Sequence, residues 1–178
     1  HRQLRKLINT GFTRRQVAVL EPKVREIVYG VLDEMRPGST HEFAEELAAP
    51  LPTRMIAELL GAPPDDWEKF RRWSDACTGN ADPEIELDSL VAVGELFEYF
   101  QQLLAARRVE PRSDMLSVLT TAEVDGAKLT DDDLLNFAFL LLVAGNETPR
   151  NLIALGTLAL IDHPDETAKL IAEPALIP

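Results

Sequence analysis

One cysteine among 178 residues leaves no partner for an internal disulfide, and a lone thiol suits a reducing, cytoplasmic setting. Aromatic side chains are scarce at 6%, so aliphatic residues and alanine must fill most of the core. Positive charge is short as well. Against 30 Asp and Glu there are 18 Lys and Arg, and the net charge of −12 argues against nucleic acid as a partner of the whole chain. No apolar run is both long enough and free enough of charge to span a membrane, since the best one is broken by Glu147 and Arg150. There is no internal repeat, no low-complexity tract and no metal-ligand set. No secretory leader is visible, and a start at His1 rather than Met leaves open whether the true N-terminus is present.

What remains is ordinary for a soluble globular protein: 46% hydrophobic and 27% charged residues, in one domain or a piece of one. The pattern is mainly α, organised around one stretch from Thr130 to about Asp162. Thr130 and Asp133 have the spacing of a capping box, and Asp131 and Asp132 suit the positive end of a helix dipole. An apolar run follows from Phe137 to Gly145. His163-Pro164 ends the pattern, because the residue before a proline is pushed out of helical geometry. At 1.5 Å per residue this helix would be roughly 50 Å long. A compact chain of this size has a radius of gyration of only ~16 Å, so the helix is expected to span the whole body. It is apolar on nearly every face, which predicts burial all round.

A polar patch, Asn146 to Asn151, interrupts it. Pro149 cannot donate to the carbonyl of Gly145, glycine weakens the helix, and Thr148 can turn its hydroxyl to the carbonyl of Ala144. An opened turn at 144–149, and so a kinked helix, is expected. A buried Glu147 needs a partner or a proton. One reading is a Glu147–Arg150 pair on a kinked core helix; the other is chemistry.

The segments before the spine read as helices. Thr13 can cap a short helix to about Leu20, and Pro22 opens or kinks another to about Arg36, with Val24, Ile27, Val28, Val31, Leu32 and Met35 inward. Thr40 to Phe43 is expected as a short strand. Pro50 and Pro52 bracket the start of a helix that Gly61 stops. Pro63 to Asp66 starts the next, carrying Trp67, Phe70 and Trp73. A loop at 79–83 leads to a long helix, roughly Ile85 to Val109, with Leu90, Val93, Leu96, Phe97, Phe100, Leu103 and Leu104 inward. Another starts near Pro111. Asp125-Gly126 is a turn signal, and a last helix runs from Pro164 through Ile171.

The first 25 residues are the basic exception: Arg2, Arg5, Lys6, Arg14, Arg15, Lys23 and Arg25 stand against Glu21 alone. His1 and Arg5 lie four apart, on one face of a helix, where two donors can grip a carboxylate. A solvated basic face explains the same pattern.

Ala144-Gly145-Asn146-Glu147-Thr148 resembles the distal-helix signature of cytochrome P450 monooxygenases, Ala/Gly-Gly-x-Asp/Glu-Thr. The His1-x-x-x-Arg5 pair followed by Phe12-Thr13 resembles that family's heme-propionate segment. Pro52 to Pro63, with Ile56-Ala57-Glu58-Leu59-Leu60-Gly61, looks like its bacterial soluble members. Pro149 departs from the pattern, standing where many members carry a second hydroxyl residue. The order of segments matches along essentially the whole chain.

The resemblance implies a partial cytochrome P450-like fold in a single partial domain, 1–178. A heme-propionate segment would occupy 1–15, helices and a substrate lid 16–125, the distal helix 130–162 and a short helix 164–173. It implies a heme-thiolate monooxygenase that inserts one oxygen atom from dioxygen into an apolar substrate. Heme b would be the cofactor, and NAD(P)H the indirect reductant through a ferredoxin-type donor. Glu147 and Thr148 would deliver protons, with water in a groove at Gly145. His1, Arg5, Ala144 and Thr148 would meet the heme; Leu140, Val143 and Ala144 would meet substrate. The family's Glu-x-x-Arg helix and cysteine loop correspond to sequence beyond Pro178, and Cys77 lacks the Gly-rich setting of an iron ligand. These 178 residues alone are therefore expected to be inactive. The alternative is a non-enzymatic, all-helical interaction or regulatory module.

Overall fold

A computed structural model describes residues 14–78, 88–124 and 126–177. Helix α1 runs Arg14–Glu34, a short π-helix Ala44–Ala48, and α2 Pro50–Leu60. A 3-10 turn, Pro64–Asp66, leads into α3, Trp67–Thr78. Then come α4, Ser89–Val109, and α5, Met115–Thr121. A two-stranded hairpin follows, β1 Glu123–Val124 with β2 Ala127–Lys128. The long helix α6 is Asp131–Asp162; α7, Pro164–Ala172, and a 3-10 turn, Pro174–Leu176, follow it.

Local chemistry sets these boundaries. Thr130 Oγ1 accepts from the Asp133 backbone N–H at 3.2 Å, and Asp133 accepts from the Thr130 N–H at 3.0 Å, closing the expected capping box at the head of α6. Asp88 and Asp114 cap α4 and α5 by accepting from Leu90 N and Ser117 N, at 2.8 and 2.7 Å. Gly61 ends α2 in the left-handed region, φ +79°, and the Ala62 N–H reaches back to the Ala57 carbonyl.

Side chains of α2 to α6 make the core. Leu60, Phe70, Leu96, Phe100, Leu116, Leu134 and Leu142 are among its most buried members. Phe70 is the aromatic centre: its ring lies 5.4–5.6 Å from those of Trp73, Tyr99 and Phe100. A buried ion pair ties three elements together. Arg107 on α4 donates to Asp114, the α5 cap, and to the carbonyl of Gly61 at the end of α2. The Asp114 carboxylate fills the space where a β-carbon at position 61 would go.

Several sequence expectations are corrected. Pro22 does not divide α1; Pro22 and Ala18 are both exposed, so water can take the carbonyl the proline leaves free. Of that helix's expected inner stripe, Val31 is buried but Leu32 is exposed. Thr40 to Phe43 is not a strand. Glu46 reaches back to accept from the Glu42 N–H and to bond His41 Nδ1, both at 2.8 Å, and this turns the chain into a helix start. Leu90, in the first turn of α4, faces out. Helix α6 runs α-helical from Asp131 to Asp162 with Pro149 inside it, where the proline leaves the Gly145 carbonyl without its helical donor. It is not buried all round: its first half sinks into the core, while Leu152, Leu155, Leu158 and Ile161 are 52–72% exposed.

Candidate functional site

The site is read outward from Asn146, whose side chain is 3% exposed. A buried amide must satisfy both its ends. Its Oδ1 accepts from Thr53 Oγ1 on α2 at 2.8 Å, and its Nδ2 donates to Ser74 Oγ on α3 at 2.9 Å. The Thr53 hydroxyl also lies 3.0 Å from the Ala49 carbonyl. One amide thus joins three helices.

One turn further along α6, Arg150 donates to Glu45 at 2.9 Å and to Asp75 at 3.4 Å. Arg71 bonds the same Glu45 and lies 3.5 Å from Asp75. Two arginines and two carboxylates therefore alternate around one point. Burial pushes the Asp75 carboxyl above its usual range, against the pull of Arg150 and Arg71. The expected Glu147–Arg150 pair is replaced by this arrangement, because Arg150 points to the face that carries α3 and the π-helix.

Gly145 packs against Ile56 on α2. A β-carbon there would sit 2.9 Å from Ile56 Cδ1, so the glycine lets α2 lie close against α6. Leu140, Ala144 and Thr148 lie four apart and are all exposed, Leu140 at 58%. Val143 and Glu147 are half-buried beside them. Thr148 has no side-chain hydrogen bond among the described residues, so its hydroxyl is not turned to Ala144. The helix therefore presents a smooth apolar strip ending in a hydroxyl. His1 and Arg5 lie outside the described residues. Cys77 packs against the core, and burial pushes its thiol up. Among the described residues no group of three or more His, Cys, Asp or Glu side chains is placed to hold a metal. None of the described helices is long and apolar enough to cross a membrane.

Comparison with known proteins decides the family. Over 99% of its length the chain is 43% identical to the cytochrome P450 monooxygenase PikC of Streptomyces venezuelae, of which it covers 42%. It is 38% identical to cytochrome P450 107B1 of Saccharopolyspora erythraea, covering 43% of that protein. The chain belongs to the cytochrome P450 family. It spans less than half the length of these curated relatives. No protein-family model matches it. Among solved P450 structures, ligand-free TbtJ1 superposes on the whole chain with a TM-score of 0.89 at 41% identity, over 48% of its own length. CYP109E1 from Bacillus megaterium, solved with testosterone, gives 0.90 at 34% identity, over 49% of its own length.

The P450 resemblance read from Ala144 to Thr148 is thus the right family, and the helical fold is the one expected. Sequence reasoning missed Asn146, Thr53, Ser74, Glu45, Asp75 and Arg71. The available signal was an amide and a guanidinium four residues apart inside an apolar helix, Asn146 and Arg150.

Proposed function

We propose that this P450 chain forms the distal side of a heme-thiolate monooxygenase that puts one oxygen atom of dioxygen into an apolar organic substrate, the other leaving as water. The observation that carries the proposal is the exposed strip Leu140, Ala144, Thr148 with Glu147 beside it on α6. A flat apolar macrocycle suits such a strip, which carries no charged group at 140 or 144. The iron ligand does not fit any residue here. Cys77 is the sole cysteine; it sits near the end of α3 against the core, where burial pushes its thiol up, whereas a ligand must be a thiolate. By resemblance to the family, the ligand would come from a cysteine loop that these 178 residues do not contain.

Bound heme b would supply the oxygen chemistry, with electrons from NAD(P)H passed on by a ferredoxin-type protein. This chain's own residues do the rest. Leu140, Val143 and Ala144 present aliphatic surface to the substrate and exclude water. Thr148 holds a proton at Oγ1 on the open face, and Glu147, next along the helix, exchanges protons between that hydroxyl and solvent. By resemblance, His1 and Arg5 would hold the heme carboxylates. Relatives named for steroid C26 oxidation and vitamin D(3) 25-hydroxylation support a large apolar substrate. A cytoplasmic site suits the free Cys77 thiol. The interaction-module reading is not favoured, since the named relatives are monooxygenases.

In the full-length enzyme, Thr148→Ala should keep reductant consumption while diverting it from hydroxylated product to hydrogen peroxide. Measuring product and peroxide per reductant consumed tests this. An unchanged ratio would remove Thr148 from proton delivery.

A further inference from the structure

The apolar run of α6 does not itself say which way the helix faces. Leu140, Leu141, Leu142 and Val143 are interchangeable in hydrophobicity, yet Leu142 is fully buried and Leu140 is 58% exposed. Rotating the helix by one residue, about 100°, would still bury a leucine. Within 140–143 hydrophobic burial alone does not fix the rotation, because such burial has no direction.

Asn146 has the necessary direction. Its amide offers one acceptor and one donor, and the two helices it meets answer in kind: the Thr53 hydroxyl donates and the Ser74 hydroxyl accepts. Thr148 is two residues on, about 200° round the helix, so a buried Asn146 places Thr148 on nearly the opposite, open side. Arg150 is four residues on, about 40° from Asn146. It engages Glu45 and Asp75 on the same anchored side. Gly145 permits the close approach of α2 that brings Thr53 within reach. A one-residue misrotation would break the amide's two hydrogen bonds and Arg150's two contacts together. Buried polar contacts of this kind are the best-attested device for fixing register.

We infer that Asn146, backed by Arg150, is the positioning residue that sets the facing of Thr148 and Glu147. The inference rests on the monooxygenase reading, in which those two side chains serve the heme side. Asn146 itself touches neither heme nor substrate; it acts through the helix.

The test is a double-mutant cycle on the full-length, heme-loaded enzyme. The probe is carbon monoxide bound to the reduced protein, read by its C–O stretching band. That band senses polar groups on the distal face and needs no substrate. Thr148→Ala should shift it. Asn146→Leu, similar in volume but without donor or acceptor, should also shift it in the Thr148 background and add nothing in the Thr148→Ala background. Ser74→Ala, which removes one of the two bonds, should give a smaller shift, and Ser74→Thr should leave the band in place. Where Asn146→Leu fails to load heme, Ser74→Ala carries the cycle. An unmoved band in Asn146→Leu or Ser74→Ala beside a moved one in Thr148→Ala would overturn the inference alone. So would a shift that persists undiminished without Thr148. No heme-thiolate spectrum in the wild type, or no effect of Thr148→Ala, would defeat the reading beneath it and the inference with it.

Discussion

Asn146 and Thr148 stand two residues apart and meet opposite surroundings, one sealed between helices and one open. The same contrast of surroundings governs two glycines. Gly61 and Gly38 share the left-handed backbone, with φ of +79° and +83°. At Gly38 a β-carbon would meet open space; at Gly61 it would run into the Asp114 carboxylate. Gly38→Ala should therefore cost only the backbone term, about 1–2 kcal/mol. Gly61→Ala must in addition displace a carboxylate that pairs with Arg107, and breaking a buried pair costs about 3–5 kcal/mol. Urea unfolding should find Gly61→Ala the more damaged by at least ~2 kcal/mol. Equal losses would mean that Asp114 yields freely. His41 gives a residue-scale pH effect. Its hydrogen bond to Glu46 raises its pKa above the ordinary 6.5, so this contact supports the fold below that pH and fades as pH rises through the raised value. Glu46→Gln should bring the His41 titration, followed by NMR, back down. A titration that stays put would assign the shift to the Arg36 carbonyl instead.

At the scale of elements, α6 shows what a sequence discloses. Its head was legible because a capping box is local: Thr130, Asp133 and the amide between them suffice. Gly61 as a stop and the turn at Gly126 between β1 and β2 were legible for the same reason. Rotation and burial were not, because they depend on Thr53, Ser74 and Asp75, which are 72 to 93 residues away from the α6 side chains they meet. The π-helix after Thr40 was missed since it hangs on Glu46 reaching back to Glu42 and His41. Thr130→Ala should cost about 0.5–2 kcal/mol at neutral pH. Hydrogen bonds from Thr130 hold the Asp133 carboxyl below its ordinary 3.8. The stability this provides is complete above that pH and is lost as pH falls through the lowered value. The gap between wild type and variant, measured by thermal melts from pH 7 to about 2, should therefore narrow in acid. A gap that stays constant would mean that the threonine acts without the carboxylate.

Over the whole molecule, one side is finished and the other is open. Around Phe70 and Asn146 the helices satisfy each other. Along the second half of α6, apolar residues from Leu152 to Ile161 face outward, as do Ile171 and Ile177 beyond it. A broad exposed apolar surface marks a place where something packs or binds, and the P450 relatives are more than twice as long as this chain. The sequence predicted a spine apolar on nearly every face apart from the patch at 146–151; the structure shows which half of it these residues cover. We propose that the open strip of α6 is the distal wall of a heme-thiolate site, and the most direct test is the absorption spectrum of the full-length protein, reduced and exposed to carbon monoxide. A Soret band at the red-shifted heme-thiolate position is expected. A folded full-length protein that takes up no heme would contradict it, and would leave Glu147 and Thr148 as features of a helix that does no chemistry.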